Sequence, residues 1–221
     1  MGALQELPVL QPAGRKEKEI VFFKKTVLKR MLKSAYTGVG LTVGQMASED
    51  GVAGYYVSSG WWVIWFNAET FPKEAKAAII ELCGELPGLN VVFKAIKDYG
   101  NQYEIEQKEN FDVRAAFTKS DFEYRVTDIM MTGKYGDLRM LQAESTGKVQ
   151  AVSEVFLDLI DTKHLDEDGG EIPPIGPYTL DENSPFLYWG TNHCYLMACV
   201  TTLGGDKEKA FWKTLESTEI I

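Results

Sequence analysis

The sequence predicts an α+β fold, a mainly antiparallel sheet with about three helices packed on it. Three observations lead to this prediction. Residues 55–66 are rich in aromatic and β-branched side chains, which is typical of a strand. The chain after residue 122 alternates strand-like segments with turn signals, as a meander does. Residues 72–86 repeat apolar side chains at helical spacing, with Pro72 at the start and Pro87-Gly88 at the end.

The segment 55–66 is predicted to be a central strand. Positions 61, 63 and 65 would face one side of the sheet, positions 62, 64 and 66 would face the other, and all six residues are apolar. A strand that is apolar on both faces needs cover on both. We therefore expect packed layers on each side of this strand.

The helices are expected near residues 26–36, 72–86 and 206–217, the last capped by Asp206. The first region allows two interpretations. One is a single helix over residues 19–36, and the other is a short strand 20–23 followed by a helix that Thr26 caps. Further strands are predicted in five segments: 89–96, 122–131, 137–143, 149–160 and 186–202.

The chain is predicted to contain an N-terminal arm and two subdomains. The arm is residues 1–18, which carry prolines and a charged run. Residues 19–100 would form an α/β subdomain with the Trp-rich strand, and residues 101–221 a β-rich one with the long acidic loop 161–185 and the C-terminal helix. A single continuous domain stays an open alternative.

Composition points to a cytoplasmic protein without membrane association. No apolar run approaches the roughly 18 residues of a membrane span, and the first residues lack the pattern of a secretory signal. Three cysteines without a C-x-x-C spacing do not suggest a disulfide framework. We expect no cofactor, and the oligomeric state is open.

Charge is unevenly distributed along the chain. Residues 1–36 hold eight Lys and Arg against three Glu, whereas residues 37–221 hold fifteen against twenty-nine acids. Charge asymmetry of this kind determines which surfaces attract which partners. The acidic candidates for binding a protein partner with a basic surface are Asp161, Asp166, Glu167, Asp168 and Glu171. The basic candidates for binding nucleic acid are Lys18, Lys25, Lys29, Arg30 and Lys33.

Each charged set has a simpler explanation. The acidic run does not fit the calcium loop of an EF-hand, because Gly169 and Gly170 come too early and Pro177 stands at the closing Glu position. No metal site is therefore predicted, and a solvated acidic loop is the alternative. The lysines could equally lie on a solvent-facing helix and balance the acidic body of the same protein.

No catalytic residue is predicted. His193 and Cys194 would point to opposite faces of one strand, with Cys199 far along it, and a thiol paired with His164 has no supporting motif. The glycines at 38, 40 and 44 follow a helix instead of a strand, so they indicate a turn and not a phosphate loop. Ser58-Ser59-Gly60 is not a nucleophile elbow. The tryptophans fit a core better than a ligand pocket.

Three hypotheses of function remain. The first is a non-enzymatic binding protein acting through protein–protein contacts, such as an acidic inhibitor of a nucleic-acid-handling protein in the manner of anti-defence proteins. The second is a nucleic-acid-binding protein that uses the basic N-terminal helix. The third is a small hydrolase-like enzyme with a cleft that the sequence does not reveal, in which His193, Cys194 or the acids of 161–171 would take part.

Overall fold

The fold is α+β, which confirms the predicted class: of the residues that the structure describes, 27% are helical and 40% are in strands. A computed structural model describes residues 22–103, 112–133, 136–161, 175–191, 193–201 and 206–220. The helices are α1 (Lys25–Thr37), α2 (Lys73–Cys83), α3 (Val113–Thr118), α4 (Glu154–Leu159) and α5 (Asp206–Glu216). The first strands are β1 (Leu41–Ala47), β2 (Ala53–Ser58), β3 (Trp62–Asn67), β4 (Val92–Ile96), β5 (Gly100–Gln102) and β6 (Phe122–Glu123). The others are β7 (Arg125–Gly133), β8 (Gly136–Gln142), β9 (Val149–Ser153), β10 (Ile175–Thr179), β11 (Phe186–Gly190) and β12 (Cys194–Cys199).

Nine strands form one antiparallel sheet in the order β5-β4-β1-β2-β3-β12-β11-β10-β6, and β7-β8-β9 form a second, smaller sheet. The strand β3 is the fifth of the nine and pairs with β2 on one side and β12 on the other. Strands from both predicted subdomains therefore share the large sheet. The division into an arm and two subdomains stays a prediction.

The central strand is covered on both faces, as its sequence predicts. Ile64 and Phe66 are buried in the main core, which α1, α2, α4 and the small sheet complete. Trp65 is buried on the opposite face, where α3 packs. The single strand predicted over residues 55–66 is wrong, because the chain turns at residues 59–61 and the segment forms the hairpin of β2 and β3. Trp61 therefore departs from the expected alternation. It precedes the strand in the β2–β3 turn and is 72% exposed.

The beginning of the first helix agrees with the second of the two interpretations. Lys24 is extended, and its N–H donates to the Leu159 carbonyl at 2.7 Å, so the helix begins at Lys25. The single helix over 19–36 is therefore wrong. The cap predicted at Thr26 is also wrong, because Lys24 occupies the N-cap position and has no side-chain cap hydrogen bond.

Three other predictions need correction. The segment 149–160 is a strand only to Ser153; it continues as α4, whose buried Phe156 and Leu159 lie one helical turn apart. The segment 186–202 is a hairpin, since Thr191 N–H donates to the Cys194 carbonyl and the chain reverses there. Five helices are described instead of about three, because α3 and α4 have only six residues each.

The short helix α3 is fixed to the β1–β2 turn by Asp112. The Asp112 carboxylate caps the helix through Ala115 N–H and accepts from the Ser48 hydroxyl at 2.7 Å and from Glu49 N–H at 2.8 Å. Burial raises the pKa of Asp112, but these hydrogen bonds outweigh it and lower the pKa below its ordinary value. Asp112 therefore stabilises the fold above the ordinary range of carboxyl pKa values, and this contribution is lost as the pH falls through the lowered pKa.

Two glycines allow aromatic rings to lie flat on the sheet under α3. A Cβ atom at Gly54 would overlap the Trp65 indole, and one at Gly44 would overlap the Tyr56 ring. The two aromatic residues are neighbours on β2 and β3. The absence of a side chain at each glycine is thus a packing requirement, because the ring occupies the space.

Gly54→Ala is expected to lower the free energy of unfolding by about 1–3 kcal/mol, because the new methyl group displaces the Trp65 indole. Gly88→Ala is the matched control, since a Cβ atom there meets nothing within 4 Å. Urea unfolding followed by circular dichroism measures both. Equal stability of the two variants would contradict this packing account.

Candidate functional site

The predicted acidic surface begins at Asp161, directly after α4. Residues 159–161 run beside residues 22–24, with Asp161 N–H donating to the Phe22 carbonyl at 2.9 Å and an antiparallel bridge between Phe23 and Ile160. The start of the basic helix α1 and the start of the acidic segment are therefore neighbours. The other four acidic candidates, Asp166, Glu167, Asp168 and Glu171, lie outside the described residues.

A group of carboxylates surrounds Arg139 near the start of this segment. Arg139 forms two hydrogen bonds with Glu154, from Nε to Oε2 at 2.9 Å and from Nη2 to Oε1 at 2.7 Å. The hydrogen bonds to Glu154 raise the pKa of Arg139, and the charges of Asp128 and Asp158 raise it further. We call Asp128, Glu154 and Asp158 the acidic α4 surface.

The single guanidinium does not neutralise the acidic α4 surface. Arg139 is held by Glu154 and by the Thr127 carbonyl, to which its Nη1 donates at 3.2 Å. Asp128 and Asp158 are exposed, and neither forms an ion pair with a described residue. Two of the three carboxylates around this guanidinium, those of Asp128 and Asp158, are therefore open to a partner.

Some of the basic candidates form ion pairs with acidic residues of the same protein. Lys25 lies 3.8 Å from Glu74 and Lys29 lies 3.2 Å from Glu81, so α2 balances two of the charges of α1. Arg30 and Lys33 are exposed and form no ion pair within the described part of the chain. An open groove of about 300 Å³ between α1 and α2 is lined by Lys29, Arg30, Lys33, Ala78, Glu81 and Leu82. Lys18 lies outside the described residues.

The cysteine and histidine candidates are dispersed. Cys194 is buried in the main core, and burial raises its pKa to about 12. His193 lies in the preceding turn, with Nδ1 3.0 Å from the Thr70 hydroxyl. Cys199 stands five residues along β12, about 17 Å from Cys194 by strand rise. His164 lies outside the described residues. Within the described ranges, no three His, Cys, Asp or Glu residues are grouped as metal ligands.

The glycine run connects a helix to a strand. Gly38 is the C-cap of α1, and Gly40 has a φ of 100°, which favours glycine. The side chains of Lys94 and Ile96 occupy the space beside Gly40. Close side-chain packing, rather than an open loop, accounts for this glycine.

The sequence analysis missed the charges of α4. Glu154 and Asp158 are four residues apart and lie on one side of a helix, but a segment interpreted as a strand hides this spacing. Arg139 and Asp128 come from two other strands. Only the tertiary structure brings these residues to α4.

No family model, curated protein or solved structure is detectably similar to this chain. No helix in the described ranges is long and apolar enough to cross a membrane.

The buried thiols are expected to resist alkylation in the folded protein. Burial raises the pKa of Cys83 to about 11 and that of Cys194 to about 12, so very little reactive thiolate is present at about pH 8. Cys199 is less buried and should be labelled first by iodoacetamide. Mass spectrometry of the native and urea-unfolded protein identifies the labelled sites. Rapid native labelling of Cys194 would contradict its placement in the core.

Proposed function

We propose that this protein is a non-catalytic binding protein that contacts a basic protein partner through the acidic α4 surface. The exposed carboxylates of Asp128 and Asp158, which form no ion pair with a described residue, are the observation that carries the proposal. The sequence continues from Asp161 into Asp166, Glu167, Asp168 and Glu171, which extend the same charge. The overall net charge of −9 has the same sign.

The partner is identified by its charge. Complementary charge across an interface accelerates encounter and selects against partners of the wrong sign. A nucleic-acid-handling protein has a basic surface where it holds phosphates, and carboxylates compete for such a surface. Inhibition by occupying that surface is therefore the activity that we propose.

Reversing the charge of the acidic α4 surface should abolish binding of the partner. The test variant is Asp128→Lys/Asp158→Lys, and the control Glu69→Lys/Glu219→Lys makes the same change in net charge at exposed residues elsewhere. The tagged proteins are incubated with nuclease-treated lysate at low salt and at about 0.5 M salt, where charge interactions are strongly screened. Bound proteins are identified and quantified by mass spectrometry.

A stoichiometric protein that binds the wild type and the control, and is lost with the test variant and at high salt, is the expected result. A partner that survives both high salt and the charge reversal would refute the proposal. Reduced nuclease or DNA-binding activity of the captured partner would support the inhibitory role.

Direct binding of nucleic acid is a second candidate function. The groove between α1 and α2 is the observation that favours it, because Arg30 and Lys33 line it and form no ion pair with a described residue. Arg30→Glu/Lys33→Glu should abolish binding to single-stranded DNA in fluorescence anisotropy, whereas the control Lys76→Glu/Lys213→Glu should not. Binding should weaken steeply as salt is raised. Absence of binding by the wild type at low salt would exclude this candidate.

A further inference from the structure

Among the described residues, the three most exposed large apolar side chains lie at one end of the nine-stranded sheet. Tyr99 is 76% exposed, Trp61 is 72% exposed and Val39 is 65% exposed. They occupy the β4–β5 turn, the β2–β3 turn and the α1–β1 connection. The strand register places all three at the same end, because Leu41 pairs with Ala95 and Thr42 pairs with Ser58. We call this end of the sheet the turn end.

Trp61 stands at the middle of the turn end. Its turn joins the fourth and fifth of the nine strands. The β4–β5 turn lies three strand spacings to one side, and the β10–β11 turn lies three spacings to the other, each about 14 Å away. The Trp61 turn is also held in place, since Cys199 N–H donates to the Trp61 carbonyl at 2.8 Å.

The two sides of the turn end carry opposite charge. On the β10–β11 side, Asp121, Asp181 and Glu182 are exposed and form no ion pair with a described residue. On the β4–β5 side, Lys97 is exposed. The side chain of Lys94 packs against Gly40, which lies at the turn end. Asp98 in the same turn offsets one of these two cations.

We infer that the turn end binds the turn end of a second copy of this chain, with a two-fold axis perpendicular to the sheet near Trp61. After this rotation, the strands of the second copy are ordered in the opposite direction to those of the first. The β4–β5 turn of each copy then faces the β10–β11 turn of the other, and lysines meet carboxylates. A two-fold axis within the sheet plane would instead place like charges opposite each other.

The apolar residues fit the same arrangement. Trp61 of each copy meets its equivalent near the axis, and Tyr99 faces Leu180, which is 44% exposed on the β10–β11 side. An exposed, rigidly held Trp at the centre of a patch with a charged rim is the usual composition of an interaction hot spot. The surface uses none of the residues of the acidic α4 surface, so the two proposals can fail independently.

The first test is the oligomeric state of the full chain. Sedimentation velocity over about 1–100 μM should show a concentration-dependent dimer, a range that covers ordinary homodimers. Trp61→Ala should weaken the self-association by roughly 30-fold or more, the effect of losing a hot-spot Trp. Leu89→Ala is the control, because Leu89 is 55% exposed but precedes Asn90, which bonds Gln45 at the other end of β1. A wild type that stays monomeric throughout would overturn the inference.

The second test determines whether the opposite charges of the two sides contribute to the interface. Asp181→Lys/Glu182→Lys gives a chain that is basic on both sides, and Lys94→Glu/Lys97→Glu gives one that is acidic on both. Each variant alone should be monomeric, and an equimolar mixture should form a heterodimer because opposite charges then meet on both sides. Circular dichroism confirms that each variant is folded. A mixture that stays monomeric, or single variants that dimerise like the wild type, would overturn the arrangement.

Discussion

The pairing of β3 with β12 is the interaction on which the rest of the structure depends. It joins the two halves of the chain through five residue pairs, from Cys194 opposite Phe66 to Ala198 opposite Trp62. Because β3 is apolar on both faces, layers must form above and below it. The helices α1 and α2 and the small sheet cover one face, and α3 covers part of the other. The helix α5 packs instead on the small sheet, through Leu215.

Small residues and polar anchors give the layers their geometry. The rings of Trp65 and Tyr56 lie over Gly54 and Gly44 and leave a flat surface beside α3. The helix itself is too short to hold its position by packing alone. Asp112 at its start and Arg114, which lies 2.7 Å from Asp50, fix it to the β1–β2 turn. A hairpin turn and a distant short helix thereby form one unit.

Charge and exposed apolar area are distributed to separate places on the molecule. Carboxylates collect beside α4, where Arg139 binds Glu154 and leaves Asp128 and Asp158 exposed. Exposed aromatic side chains collect at the turn end, where Trp61 lies between turns of opposite charge. Two lysines of the basic helix α1 form ion pairs with acids of α2. The proposed contact with a basic partner and the proposed self-association therefore use different surfaces.

The α+β class, the central position of β3 and the start of α2 were predictable from the sequence alone, because period-2 and helical patterns of apolar residues depend only on local geometry. The sequence did not separate a short helix from a strand at 149–160, nor a hairpin from a strand at 55–66 and at 186–202, since tertiary contacts decide such short apolar segments. The acidic α4 surface could not be predicted, because Asp128, Arg139 and Asp158 come from three elements. Trp61 was placed in the core by its alternation, yet the turn before β3 exposes it. Only the strand order of the folded sheet brings that residue to the middle of one end, with opposite charges on either side.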